Sequence, residues 1–336
     1  MAILVTGGAG YIGSHVVWEL LDNGEDVIVL DRLSTGFEWA VPPKAKLVIG
    51  DIADSLLVKS LLRDWPIDSV IHFAASVVVP ESVAMPLAYY ENNTCKTRAL
   101  LEAAVEANIR HVIFSSTAAV YGSQGQAPIT ENAPTCPESP YGRSKLMIEW
   151  MLSDASAAYD FTYTALRYFN VAGADPHGRT GQSTPGATHL IKVACETATG
   201  KRPALDIFGT DYATPDGTCI RDYIHVSDLA VAHRLALGRL RAGGENLIAN
   251  CGYGHGYSVL EVINSVGKAV GHPLEMRHCG RRPGDAASVV ANADLARREF
   301  NWTPKYADLD RIVADSLAWE AALSLRDPKG VAARSP

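Results

Sequence analysis

The sequence predicts an α/β fold, a doubly wound parallel sheet followed by a smaller C-terminal α/β lobe, and three observations predict it. Short apolar runs alternate with longer amphipathic stretches from the first residues onward, which is the pattern of βαβ units around a parallel sheet. The first run, "AILVTG" (2–7), meets a glycine string that opens a helix. After residue 170 the texture changes to "VAGADPHGRTGQSTPGA", rich in Gly, Pro, Ser and Thr, a long loop leaving the sheet, of a length uncommon unless functional.

Taken in order, the elements are a strand at 2–7, a helix near 11–23, strands "DVIVLD" (26–31) and "KLVIGD" (46–51), and a helix near 54–64. Then come a strand "SVIHFAA" (69–75), a long helix near 88–108 and a strand "HVIFSST" (111–117). Ser139 is a good N-cap and Pro140 suits the first helical position, so a helix opens at residue 140; "FTYTALRYFN" (161–170) closes the array. Beyond the loop the spacing predicts helices near 187–199, 227–240, 258–270, 293–299 and 308–322, with strands near 204–208 and 246–251. The division expected is a dinucleotide-binding domain over 1–170, a substrate-binding lobe over 171–325 from which the chain can cross back to the sheet, and a tail, 326–336, without apolar periodicity.

The composition bounds the partners. At 336 residues, 47% hydrophobic and 20% charged, the chain reads as an ordinary globular protein. Its net charge of -7 argues against nucleic acid or an anionic membrane as the main partner. Six scattered cysteines form no C-x-x-C pair, which disfavours a disulfide framework and a metal site and suits reduced, mostly buried thiols. The glycine string follows the first apolar run too closely for a signal peptide core of about 7 to 15 residues, and no later run reaches the ~20 apolar residues of a membrane span. A cytoplasmic location is expected.

"VTGGAGYIGSH" places Gly8, Gly10 and Gly13 as G-x-G-x-x-G, with Gly7 giving an overlapping spacing, between a strand and a helix. Glycines permit the tight turn and let backbone N–H groups approach a pyrophosphate at the helix N-terminus. A tight turn alone would also select Gly, but Asp31 ends the second strand about 20 residues on, where a carboxylate accepts from both ribose hydroxyls and repels a 2'-phosphate. Together they point to a Rossmann-type site for NAD, with Arg32 as the one nearby feature that would attract NADP. Asp51 and Ile52 close the third strand, where they suit an adenine or a helix cap equally. Phe73, Ala74 and Ala75 end the fourth strand, and the small alanines admit a cofactor to the sheet edge.

The fifth strand ends in "FSSTAAVYG" (114–122), and "SPYGRSKL" (139–146) follows. Tyr141 and Lys145 are four apart on one helix face, where an ammonium can stabilise a phenolate. Alone, such a pair is usually a ring and a solvated charge. A hydroxyl at a strand end (Thr117), then Tyr-x-x-x-Lys on the next helix, downstream of the glycine loop, is far more specific. The combination resembles the extended short-chain dehydrogenase/reductase superfamily. Within it, "ENNT", "LRYFNVAGA", "IFGTDYATPDGTCIRDYIHVSDLA" and "RRPGD" extend a resemblance to the UDP-glucose 4-epimerase family over nearly the whole chain.

The resemblance implies NAD-dependent 4-epimerisation of a UDP-sugar, foremost UDP-glucose and UDP-galactose, through a 4-keto intermediate. Tyr141 is then the general base and acid, Lys145 lowers its pKa and holds the nicotinamide ribose, and Thr117 bonds the substrate hydroxyl. It also implies that Tyr11, Ile12, Asn92, Ser115 and Tyr168 complete the cofactor contacts, and that Tyr168, Phe169, Asn170, His189, Leu190 and Tyr223 line the substrate pocket. Leu205 and Phe208 border the uracil, Arg221 and Arg282 hold the diphosphate, and Asp285 holds the uridine ribose. Guanidinium groups suit a dianion, although a surface salt bridge is the more common fate of any one arginine.

Two positions depart from the family pattern: Val77 stands where many relatives have a lysine and His189 where many have an asparagine. Val289 aligns with a position where the family varies between tyrosine and smaller side chains that set room for an N-acetyl group, which keeps UDP-N-acetylhexosamines and UDP-pentoses as alternatives. Ala118 and Ala119 occupy the positions where nucleotide-sugar 4,6-dehydratases carry an acidic pair, and a non-catalytic NAD-binding regulator would commonly lack the Thr, Tyr and Lys. The helices near 88–108 and 140–157 resemble those of the family's intersubunit bundle and imply a homodimer, although the sheet could equally cover their apolar stripes.

Overall fold

A computed structural model describes residues 1–123, 128–282 and 284–326, so most of the tail lies outside the described residues. In chain order the elements are β1 (Ala2–Thr6), α1 (Tyr11–Asp22), β2 (Asp26–Asp31), β3 (Lys46–Ile49), α2 (Ser55–Asp64), β4 (Ile67–His72), α3 (Val79–Ala84) and α4 (Pro86–Tyr89). A π-helical segment, Tyr90–Cys95, leads into α5 (Lys96–Glu106), and β5 (His111–Thr117), α6 (Pro140–Ala158), β6 (Thr162–Tyr168) and β7 (Asn170–Ala172) follow. The rest of the chain forms α7 (Leu190–Ala198), β8 (Leu205–Phe208), β9 (Ile220–His225), α8 (Val226–Arg241), β10 (Leu247–Cys251) and β11 (Gly256–Ser258). It ends with α9 (Val259–Val270), β12 (Met276–Cys279), β13 (Ser288–Val289), α10 (Asp294–Phe300) and α11 (Leu309–Arg326).

The main sheet has seven strands in the order β10-β6-β5-β4-β1-β2-β3, every neighbouring pair parallel. Its strands are apolar on both faces because helices cover both. In β1, Ile3 and Val5 face α1 and α8, packing with Val16, Leu20, Leu229 and Leu237, while Ala2 and Leu4 face α2 and α5, packing with Val58, Leu62 and Leu100. Strand order reverses between β1 and β4, so a crevice opens at their carboxyl ends, the usual ligand position in an open α/β sheet.

A second layer lies over that crevice. Here β9 pairs with β7 and β13 in parallel and with β11 antiparallel, β8 pairs with β12, and α7, α9 and α11 share a core of Ile191, Cys195, Val262, Val266, Ile312 and Val313.

Several expectations needed revision. The segment predicted as one strand to residue 170 stops at Tyr168, and residues 170–172 pair instead with β9 in the other layer. The long helix near 88–108 is continuous only through its π turns, and α3 precedes it in a stretch left without an element. β9, β11, β12 and β13 are also additional to the predicted elements; they are short, and β9 carries Arg221 and Asp222, which hides its apolar alternation. All six cysteines are free, but only Cys195, Cys219 and Cys251 are buried, whereas Cys95 and Cys136 are exposed.

Candidate active site

The crevice is a cavity of about 740 Å³ at the carboxyl ends of β1, β2, β4, β5 and β6. Its inner end is built by the glycine turn. Gly7 has φ +72°, and a Cβ there would stand 2.6 Å from the Ala74 amide nitrogen, so only glycine lets the β1 turn lie against the end of β4. A Cβ at Gly10 would meet only the Gly7 carbonyl, at 3.3 Å. Gly10 is also the N-cap of α1 and supplies no side-chain cap, which leaves first-turn N–H groups open to an anion.

Asp31, 8% exposed, lines the cavity at the end of β2. Its Oδ2 accepts from the Ala9 N–H at 3.0 Å and its Oδ1 from the Leu33 N–H at 2.8 Å, so two loops hold the carboxylate. Asp51 is not the cap of α2, a part played by Asp54. Partial burial alone would raise the Asp51 carboxyl, but hydrogen bonds from Lys96 (2.5 Å) and the Ala53 N–H (3.0 Å) hold it below its ordinary value. The Arg32 guanidinium is turned to Ser34 (3.1 Å) and Asp51 (3.4 Å).

The reactive candidates meet where β5 ends and α6 begins. Ser139 caps α6 by accepting the Gly142 N–H at 3.1 Å, with Pro140 in the first turn. That start places Tyr141 and Lys145 inward, 8% and 2% exposed, so this pair is not a solvated surface pair. The Lys145 ammonium donates to the Ser115 carbonyl at 2.9 Å and sits 4.9 Å from the Phe114 ring centre. Burial lowers it to about 7. Burial also raises the Tyr141 phenol above its ordinary value, and a hydrogen bond with Thr117 draws it partly back. Ser115 in turn hydrogen-bonds the Tyr168 phenol. The cavity thus holds a hydroxyl, a phenol and an amine that desolvation brings close to neutrality, a set able to move a proton to or from a bound alcohol.

Of the residues assigned above to the cofactor, all but Gly8 line this cavity, as do Phe169, Asn170, His189, Arg221 and Val289; Gly8 packs against Val29 and Val17 instead. Arg221 is fixed to the wall by donating to the Ile220 and Ala286 carbonyls, both at 2.8 Å, and stands 3.4 Å from Asp285. Tyr223 is buried behind Asn170 and hydrogen-bonds its side chain. Leu190, Leu205, Phe208, Tyr223, Arg282 and Asp285 are not lining residues of the cavity. Leu190 and Leu205 pack with the core of the second layer, and Arg282 lies over the Phe208 ring, 3.6 Å from its centre. His189 is solvent-exposed, 3.5 Å from the Gln182 amide, and Val77 lines the cavity 52% exposed.

The wall also includes Lys96, Glu138, Gln182 and Thr184, which sequence reasoning did not single out. For Gln182 and Thr184 the signal was the long loop that carries them. Lys96 reads as an ordinary solvated lysine, and only its pairing with Asp51 distinguishes it.

A family model described as the NAD dependent epimerase/dehydratase family matches residues 3–252. The chain is 56% identical to a UDP-glucose 4-epimerase of Azospirillum brasilense over 321 residues, covering 96% of this chain and 92% of that one. Among solved structures it resembles a UDP-glucose 4-epimerase of Stenotrophomonas maltophila with bound NAD and formylated UDP-arabinopyranose (TM-score 0.94, 39% identity, 97% and 99% of the two chains). It also resembles that of Bifidobacterium longum in complex with NAD+ and UDP (TM-score 0.91, 40% identity, 98% and 100%).

Proposed function

Since the chain belongs to the NAD dependent epimerase/dehydratase family, we infer that it catalyses the NAD-dependent 4-epimerisation of a UDP-sugar, interconverting UDP-glucose and UDP-galactose. The observation that carries this is the single cavity that joins the glycine turn and Asp31 to Thr117, Tyr141 and Lys145. The cradle fits a dinucleotide: Gly7 and Gly10 leave room for a pyrophosphate against the start of α1, and the fixed Asp31 carboxylate suits ribose hydroxyls. Bound there, NAD supplies a reversible hydride acceptor for C4, so the sugar passes through a 4-keto form with no net redox change.

In this reading Tyr141 takes the proton of the 4-hydroxyl and later returns it, Thr117 aligns that hydroxyl, and Lys145 favours the phenolate. Arg221, braced by two carbonyls, suits the diphosphate. The nucleotide is then the anchored end, and the hexose is free to turn between small residues such as Ala118 and Ala119 at the cavity wall. Purified protein incubated with UDP-galactose and no added cofactor is expected to form UDP-glucose, followed by the anomeric proton signals, and Tyr141→Phe is expected to abolish the conversion. Failure even with NAD supplied would sink the reading.

Val289 at the cavity wall favours a second, broader reading in which UDP-N-acetylhexosamines or UDP-pentoses are also accepted. A homodimer is supported by exposed apolar side chains outside the cavity on the packed helices α4 and α6: Met85, which caps α4, Leu87 and Trp150 are 54–80% exposed. Among the described residues no helix is long and apolar enough to cross a membrane. Six free cysteines suit the reducing conditions of the cytoplasm.

A further inference from the structure

Behind the site, on the α6 side of β5 and β6, lies an ion pair that the chemistry above does not use. Glu149 and Arg167 are 2% and 5% exposed. The guanidinium grips the carboxylate at two points, Nε to Oε1 at 2.9 Å and Nη2 to Oε2 at 2.5 Å. The Ser116 hydroxyl donates to the same Oε1 at 2.5 Å. The third guanidinium nitrogen, Nη1, donates to the Tyr121 phenol at 3.0 Å, which donates to Asn250 Oδ1 at 2.7 Å. Asn250 Nδ2 then donates to the carbonyls of Ile129 (2.9 Å) and Asn292 (3.2 Å).

The placement is what matters. Ser116 and Arg167 are cross-strand partners in register, and each directly precedes a residue of the cavity wall, Thr117 and Tyr168. Glu149 is one helical turn beyond Lys145. Two successive turns of α6 are therefore tied to successive residues of β5: Lys145 to the Ser115 carbonyl and Glu149 to the Ser116 hydroxyl. At its far end the chain of bonds reaches the segment that carries Val289, because Ile129 pairs with Val290 and Asn292 through backbone hydrogen bonds of 2.8 Å.

Burying two charges costs desolvation that their attraction does not reliably return, and apolar replacements of similar volume are often as stable or more so. Stability alone is thus a poor account of the pair. We propose that Glu149 and Arg167 are positioning residues: they fix the axial register of α6 against β5 and β6, and so the approach of Tyr141 and Lys145 to Thr117 and the substrate. This rests on the 4-epimerase reading.

The test replaces both charges together, Glu149→Leu with Arg167→Met. The double variant is expected to melt no lower than wild type, to lose at least ~10-fold in kcat for UDP-galactose with KM within ~3-fold, and to exchange the amides of residues 141–146 at least ~10-fold faster. A folded double variant with wild-type kcat and wild-type exchange overturns the proposal. Should it not fold, Glu149→Gln decides, since it keeps the volume and an acceptor for Ser116: the same fall in kcat supports the proposal and a wild-type kcat overturns it. Absence of turnover in the wild type counts against the 4-epimerase reading alone, and amide exchange then decides the positioning role by itself.

Discussion

Lys145 combines a 2% exposure with an ammonium lowered by burial from 10.5 to about 7, and this has a measurable effect on stability. Between those two values the unfolded chain holds a proton that the folded chain has released, so stability rises with pH across the window; below about 7 the folded chain bears the full cost of a buried charge. Lys145→Met is therefore expected to raise the melting temperature of the cofactor-free chain by a few degrees at about pH 6, with the gain shrinking towards about pH 10, while epimerisation is lost. A gain independent of pH would refute the assignment to this amine. At Val289, the substitution Val289→Tyr is expected to reduce turnover of a UDP-N-acetylhexosamine far more than that of UDP-galactose, and equal losses in kcat/KM would remove the size argument. At this scale the sequence was informative where spacing sets direction: Tyr141 and Lys145, four apart on one helix face, both line the cavity. It was silent where a common residue acquires its part only through a distant partner: nothing about Lys96 in isolation points to Asp51, 45 positions earlier.

The turn between β1 and α1 is the element most constrained by sterics. Gly7→Ala places a side chain in the left-handed region at φ +72° and against the Ala74 backbone, so the turn has to open. Loss of bound NAD, read as the ratio of absorbance at 260 to 280 nm, is expected to exceed the loss of helix content by circular dichroism; a fully loaded variant would contradict the close approach. Elements of the parallel sheet were legible because both periodicity and punctuation agree: β5 was expected at 111–117 and spans those residues. The second layer was less so. Its strands are two to six residues long, and β7 follows β6 after a single residue, Phe169, so one apolar run supplies strands to two sheets. Local sequence has no means of marking that switch, since both halves have the same strand-forming texture and only their partners differ. The π turns at Tyr90–Cys95 were hidden for a similar reason, because tertiary bonds support them: Asn93 donates to Ser144 and to the Ser76 carbonyl, both at 3.0 Å.

For the molecule as a whole, the exposed apolar side chains on α4 and α6 predict self-association. Leu87→Asp with Trp150→Asp is expected to halve the mass measured by sedimentation, with far-ultraviolet circular dichroism unchanged; a wild-type chain that sediments as a monomer would remove this prediction. A second consequence comes from β10, which runs beside β6 at the edge of the main sheet although nearly 80 residues separate the two strands, and from α8, which covers the same apolar face of the sheet as α1. During synthesis β1 to β6 leave the ribosome first, yet α1 lacks its neighbour α8 until residues near 240 have emerged. At translation rates of about 5 to 20 residues per second this interval lasts several seconds. The nascent chain therefore carries an open sheet edge and a bare helix face for that time, the state in which a holding chaperone has most to bind and a premature stop is most damaging.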